Sequence, residues 1–150
     1  MIVTARRLAY ASPQKPRQSD LKRAISTPYY ALFQAMAKDA ADLLVGVGND
    51  RPSKAWRQTY RALQHGEARN ACMGARNLGF PETIVVCADA FVVLQEFRHS
   101  ADYDPDHRVL RADALNAIRL AEDAMKALKS APKKDRRAFA VLLLFRKRAP

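Results

Sequence analysis

One polar segment of the chain carries residue types that could do chemistry. Residues 98–104 read Arg-His-Ser-Ala-Asp-Tyr-Asp and follow a long apolar stretch, just before an Asp-Pro turn. Charged and hydrogen-bonding groups at the end of a buried helix either pair with one another or face a groove or a neighbouring chain. In the second case this segment would form a binding site.

Helical spacing decides which of these side chains can act together. Arg98 and Asp102 are four residues apart and share a helix face, with Tyr103 one residue further round. On spacing alone such a pair is usually an intrahelical salt bridge, worth about 0.2–0.5 kcal/mol. His99 points about 100° away from Arg98. His107 lies beyond a proline, in a turn whose geometry the sequence does not define.

Helices are predicted to position this segment, because alanine is abundant and apolar residues recur at spacings of three and four. The first helix is predicted from about Gln18 to Val45, with Ser19 as its N-cap. Pro28 lies inside it and is predicted to kink it. The alternative is a helix that starts with Pro28 as its first residue.

The remaining elements complete an all-α prediction. A second helix opens at Ser53 with Trp56 and Tyr60 as core anchors, and His65 is interpreted as a helix-end residue that complements the dipole. The apolar central helix follows a turn at residues 79–81 and ends near residue 103, and another helix spans about 111–129. We therefore expect an antiparallel four-helix bundle over residues 18–131. A basic N-terminal extension (1–17) precedes it, and a basic C-terminal helix (132–150) follows it.

The formal charge of +11 is concentrated at the two ends of the chain. Residues 1–23 contain six basic residues and one acidic residue, and residues 126–150 contain nine and one. Any nucleic acid would then be attracted nonspecifically by the ends. The apolar run at 141–145, flanked by basic residues, could dock on the bundle or lie on a membrane surface. We favour docking.

Other classes of protein are not indicated. No apolar run approaches the roughly 20 residues that span a bilayer. No signal-peptide pattern is present, and the cysteines are read as reduced thiols, so we expect a cytoplasmic protein. The three histidines share no ligand spacing with either cysteine, so we expect no metal site. No cofactor is expected.

Two further segments carry a family resemblance. Residues 24–34, Ala-Ile-Ser-Thr-Pro-Tyr-Tyr-Ala-Leu-Phe-Gln, resemble the first long helix of HEPN domains, the higher eukaryote and prokaryote nucleotide-binding family. Residues 98–103 stand where that family has its Arg-polar-x-x-x-His motif, and residues 56–66 are similar to an uncharacterised bacterial branch. The resemblance covers about residues 18–137 and implies a helical bundle that pairs as a homodimer.

The resemblance also implies a function. The family cleaves RNA without a metal, using the arginine to stabilise the phosphoryl charge and the histidine to transfer protons. This chain keeps Arg98 and a polar His99, but it has Tyr103 at the histidine position, and a phenol is a poor base at neutral pH. We therefore expect a catalytically degenerate, toxin–antitoxin-like domain whose binding residues are Arg98, Asp102, Tyr103 and Tyr30. It would bind RNA, a nucleotide or a nucleotidyltransferase-type partner.

Two alternatives remain open. One is an active metal-independent endoribonuclease, whose candidate catalytic residues are Arg98, His99, Tyr103 and His107. The other is a structural or interaction protein without a role in nucleic-acid binding.

Overall fold

The computed structural model describes residues 1–147, and in that range it contains helices and no strand. The all-helical prediction is confirmed. The last three residues of the predicted segment 132–150 lie outside the described residues. The helices are α1 (Ile2–Ala9), α2 (Gln18–Leu44), α3 (Ser53–Ala62), α4 (His65–Gly74), α5 (Glu82–Tyr103), α6 (Arg111–Ser130) and α7 (Lys133–Leu144).

The core lies where the three long helices α2, α5 and α6 pack against one another. Large side chains from different helices fill it, among them Tyr29 and Phe91, which are fully buried. Alanine supplies about half of the buried apolar residues. The buried face of α6 illustrates this, because its alanines recur at helical spacing: Ala114, Ala117, Ala121 and Ala124. Small side chains let neighbouring helix backbones approach closely.

Helix α2 is continuous through Pro28, so the alternative in which the helix starts at that proline is wrong. The N-cap is Arg17, and the prediction of Ser19 is also wrong. Pro28 has no backbone N–H and cannot donate to the carbonyl one turn earlier. One residue before it, the Thr27 hydroxyl donates to the Arg23 carbonyl at 2.7 Å, a side-chain bond typical of helices near such interruptions.

Helix α3 corrects the prediction of core anchors. It buries no residue, and among the described residues its main packing partner is α2. Trp56 and Tyr60 are half-buried and stack on each other with their ring centroids 5.2 Å apart. Their apolar face covers the side of α2 instead of entering a core between helices. The indole of Trp56 donates to Asp42 Oδ1 at 2.8 Å, which ties α3 to α2.

The N-terminal segment contains a helix that the sequence analysis did not assign. Helix α1 buries Ala5 and Ala9 against α2 and α6. The guanidinium of Arg111 donates to the carbonyls of Ala9, Ser12 and Pro13 at 3.0, 3.1 and 2.8 Å. A single side chain of α6 thus holds the connection that follows α1.

Helix α7 packs against α2 and α4. It buries Phe139, Ala140 and Leu143, and Arg136 Nη1 lies 2.7 Å from Asp39 Oδ1 of α2. Part of the apolar segment therefore packs inside the protein, whereas Val141 and Phe145 are exposed. Across the described chain, no helix has both the length and the apolar character to cross a membrane.

Candidate functional site

Arg98, near the end of α5, lies against two consecutive tyrosines of α2. Its Nη1 donates to the Tyr30 hydroxyl at 3.3 Å, and its Cζ lies 4.8 Å from the Tyr29 ring centroid and 5.8 Å from that of Tyr30. Burial acts to lower the pKa of Arg98, but the hydrogen bond with Tyr30 and nearby phenols outweigh it and raise that pKa. The guanidinium therefore remains charged.

No carboxylate pairs with this charge in residues 1–147, because none of the ion pairs found there includes Arg98. Its Nε is buried and has no hydrogen-bond partner. The aromatic faces attract the cation, but they leave its net charge uncompensated. An anion that approached the guanidinium would therefore displace no existing ion pair of Arg98 within the described residues.

His65 joins Arg98 through Tyr29. The Tyr29 hydroxyl lies 2.5 Å from His65 Nδ1, and Gln95 Nε2 donates to Tyr29 Oη at 3.3 Å and to the His65 carbonyl at 3.1 Å. The His65 ring stacks on Phe33 with centroids 4.1 Å apart. Burial, and then the charge of Arg98, lower the pKa of His65. The imidazole is consequently neutral at pH 7.

The interpretation of His65 as a helix-end residue that complements the dipole is wrong. His65 is the first residue of α4, where the helix dipole opposes a positive charge. The interruption between α3 and α4 falls at residues 63–64, before His65. Because its partners lie on α2 and α5, local spacing could not reveal its place in the site.

An open cleft of about 420 Å³ lies beside Arg98. It is lined by Arg69, Gln95, Glu96, Arg98, His99 and Ser100. Arg69 donates to the Gln95 side chain at 3.2 Å and pairs with Glu96 at 3.0 Å. The cleft thus has two guanidinium groups, and only that of Arg69 is paired with a carboxylate.

The predicted site residues are only partly brought together. Arg98 and His99 line the same cleft, although they are adjacent on the helix. Tyr103 is 65% exposed, and its ring lies 4.9 Å from that of His99. Asp102 accepts a hydrogen bond from Ser26 Oγ at 2.6 Å and forms no ion pair with Arg98. The pairing of Arg98 with Asp102 was predicted from their spacing on α5 alone. In the structure each has a partner on α2 instead: Tyr30 for Arg98 and Ser26 for Asp102.

His107 lies elsewhere. It lines a second cavity of about 170 Å³. The other residues that line that cavity are Ile25, Phe97, Ser100, Asp113 and Asn116. The structure therefore does not bring His107 into the Arg98 cleft. Of the three histidines, His99 lines the Arg98 cleft, and His65 is close enough to Arg98 for its charge to lower the pKa of the imidazole.

The possible metal ligands do not converge. Within residues 1–147, no group of three or more histidine, cysteine, aspartate or glutamate residues could hold a metal ion. Cys72 and Cys87 are both buried free thiols. Burial raises the pKa of Cys87 to about 12, so this thiol is not poised as a nucleophile.

Comparisons of the chain with protein-family models, with curated proteins and with solved structures found no match.

Proposed function

We propose that this chain is a HEPN-like, catalytically degenerate domain that binds RNA or nucleotides in the cleft beside Arg98. The observation that carries the proposal is the charge of Arg98, which forms no ion pair within residues 1–147 and lies against two tyrosine rings next to an open cleft. A phosphate supplies the missing negative charge and matches the fork of the guanidinium.

The other residues of the cleft support this ligand class. Arg69 adds a second guanidinium, and the side chains of Gln95 and Ser100 provide hydrogen-bonding groups. His99 and Tyr103 present exposed rings beside the cleft, on which a base could stack. In this proposal residues 18–131 form the antiparallel four-helix bundle of the family, with the basic C-terminal helix added. The domain pairs as a homodimer and acts in the cytoplasm, with a nucleotidyltransferase as a further candidate partner.

The test is binding of a labelled single-stranded RNA and of ATP to the wild-type protein and to Arg98→Ala. We expect the variant to bind about 10- to 100-fold more weakly, since hydrogen bonds to charged groups are worth about 1.5–3 kcal/mol. Arg98→Lys should restore part of the affinity, because lysine keeps the charge but lacks the fork. Arg76→Ala is the matched control, since Arg76 is an exposed arginine on the surface, away from the cleft.

Absence of binding at low ionic strength would exclude this function. Equal losses for Arg98→Ala and Arg76→Ala would show that net charge, and not the cleft, attracts the ligand. Sedimentation of the wild-type protein tests the dimer separately, with twice the mass of one chain as the expected result.

A second candidate function, metal-independent cleavage of RNA, is favoured by the position of His65. The neutral imidazole of His65 contacts the Tyr29 hydroxyl, and Arg98 lies against the ring of the same tyrosine. An arginine and a histidine therefore occur together, even though Tyr103 replaces the histidine of the motif. Once the Tyr29 hydroxyl is displaced from Nδ1, the neutral His65 can accept the proton of a ribose 2′-hydroxyl while Arg98 stabilises the phosphorane charge. The 2′-oxygen then displaces the 5′-oxygen, which takes up the proton that the histidine holds, and a 2′,3′-cyclic phosphate remains.

Cleavage of single-stranded RNA in the presence of a chelator tests the second candidate. Activity should disappear in His65→Gln and in Arg98→Ala, and it should persist in His107→Gln, whose side chain lies in another cavity. Intact RNA in the presence of folded wild-type protein would rule the reaction out and leave the binding proposal standing.

A further inference from the structure

Helix α3 has a basic outer face that the sequence analysis did not separate from the near-neutral centre of the chain. Residues 51–66 contain four basic residues and no acidic residue. Three of them, Lys54, Arg57 and Arg61, are exposed and line a shallow surface depression of about 530 Å³ together with Gln58 and Ala62. We call these three residues the α3 ridge.

The α3 ridge is a regular row of charges. Its members are spaced three and four residues apart and therefore share one helix face. At 1.5 Å per residue the row extends about 10.5 Å along the helix axis. None of the three takes part in an ion pair within the described residues. The ridge thus holds three cations that the protein itself does not neutralise.

The orientation of α3 is fixed by contacts on its opposite side. Trp56 donates to Asp42 of α2, and the guanidinium of Arg51 lies 4.0 Å from the centroid of the Trp56 ring. Tyr60 stacks on the same indole. These contacts use the apolar face of the helix against the protein and leave the charged face pointing to solvent.

The ridge lies close in the chain to the Arg98 network. Helix α3 ends at Ala62, and only two residues separate it from His65, which belongs to that network. Arg61 is therefore the member of the ridge that lies nearest in the chain to the cleft.

We propose that the α3 ridge binds the phosphate backbone of a single-stranded RNA whose recognised nucleotide lies in the Arg98 cleft. This inference rests on the proposed function for the identity of the ligand. Backbone contacts of this kind need only positive charge and position the ligand without reading its sequence.

Two other occupants fit the ridge less well. A membrane-surface helix needs a free apolar face to insert, and the apolar face of α3 is turned toward α2. A protein partner usually anchors on aromatic or arginine side chains held in a well-packed pocket, and this depression is shallow and has no aromatic residue in its lining. The phosphate backbone of an RNA needs neither an apolar face nor an anchoring pocket in order to bind a row of cations.

The experiment compares the triple variant Lys54→Gln/Arg57→Gln/Arg61→Gln with a control triple variant, Lys133→Gln/Lys134→Gln/Arg137→Gln. The control residues are exposed on α7, form no ion pair within the described chain, and remove the same charge. All six side chains are exposed, so both proteins should fold, and circular dichroism checks this. A labelled single-stranded RNA is titrated at several salt concentrations.

We expect the α3 variant to bind at least about tenfold more weakly at low salt and to lower the salt slope of log K by about two, or roughly 0.7 for each lost phosphate contact. The control should keep the wild-type slope. Equal effects of the two variants, or an unchanged slope in the α3 variant, would overturn the proposal. Binding to anionic vesicles that depends on the ridge, with no binding to RNA, would also overturn it.

The same titration separates this inference from the proposed function. If Arg98→Ala abolishes binding while the α3 variant keeps the wild-type slope, the cleft stands and the ridge fails. If the α3 variant loses affinity while Arg98→Ala does not, the ridge stands and the cleft fails. A wild-type protein that binds no RNA would refute both.

Discussion

At the scale of single residues, the site depends on contacts between helices that are far apart in the sequence. Tyr29 touches His65 through its hydroxyl and Arg98 through its ring, so one phenol connects α2, α4 and α5. Burial raises the pKa of Tyr29, even though Gln95 and Arg98 oppose that effect. The phenol therefore stays protonated and can donate to a neutral His65.

This contact predicts a pH-dependent contribution to stability. The pKa of His65 in the folded protein is below its ordinary value of 6.5. The unfolded chain then binds the proton more tightly, so the stabilisation is present above about pH 6.5 and is lost as pH falls through the folded pKa. Between pH 7.5 and pH 5 the free energy of unfolding of wild-type protein should fall more steeply than that of His65→Gln. Denaturant unfolding at several pH values measures this, and His99→Gln, which changes a second exposed histidine whose ring meets Tyr103, is the control.

Parallel pH curves for the wild-type protein and His65→Gln would contradict this coupling. The sequence singles out Arg98 and Tyr30 as candidates, and the structure brings their side chains into contact. It could not predict His65, whose hydrogen-bond partner is 36 residues away. For the same reason the pair of Arg98 with Asp102 was wrong, since Ser26 of another helix takes the carboxylate.

At the scale of elements, α3 is held to α2 by one carboxylate. Asp42 accepts from Lys38 at 2.6 Å and from the Trp56 indole at 2.8 Å, and Arg51 lies 3.6 Å away. Burial acts to raise the pKa of Asp42, but the hydrogen bonds from Lys38 and Trp56 outweigh it and lower that pKa. Asp42 is thus the acidic side chain that ties α3, and with it the α3 ridge, to α2.

Asp42→Asn should therefore destabilise the protein by about 1 kcal/mol at pH 7, a value reduced for partial exposure. The wild-type carboxylate contributes stability above its unfolded pKa, near 3.8, and loses it as pH falls through the lowered folded pKa. The difference between the two proteins should shrink in acid. Fluorescence of the single tryptophan in urea titrations follows it.

Asp89→Asn is the control, because Asp89 is an exposed carboxylate on α5 that pairs only with Arg76 at 3.3 Å. An Asp42→Asn effect no larger than that of the control would contradict the role given to Asp42.

The periodicity of apolar residues was sufficient to predict α2, α5 and α6. It did not assign α1, and it predicted α3 from Ser53 but placed its aromatic residues in the core, because short surface helices bury one narrow face whose depth is decided by their neighbours.

At the scale of the whole molecule, the C-terminal helix belongs to the core instead of extending from it. Phe139 is 1% exposed and meets Phe80 edge to face with ring centroids 5.8 Å apart. It belongs to the same buried cluster as Tyr29 and Phe91. From the sequence, residues 132–150 are predicted to form a basic C-terminal helix whose apolar run docks on the bundle, but Phe139 is not identified as a core residue. Charge density describes the surface of a helix and says nothing of what its apolar face contacts.

Phe139→Ala should accordingly destabilise the entire protein, by about 3–5 kcal/mol, in a single cooperative transition. Helix content and the fluorescence of Trp56, which lies on a different helix, should report the same midpoint. Val141→Ala removes a 45% exposed side chain from the same helix and should cost much less. Separate midpoints for the two signals would show that α7 unfolds independently of the rest.

The alanine-lined face of α6 limits how this protein can change. The side chains of Ala117 and Ala121 are single methyl groups and are fully buried. A larger aliphatic side chain there would force the backbones apart, whereas glycine or serine would keep the spacing. In a library of random variants, these positions should accept only the smallest residues, while leucine and isoleucine sites of the same core tolerate exchange among themselves. The substitutions tolerated on the buried face of α6 would then depend more on how closely the helices approach one another than on how hydrophobic the new side chain is.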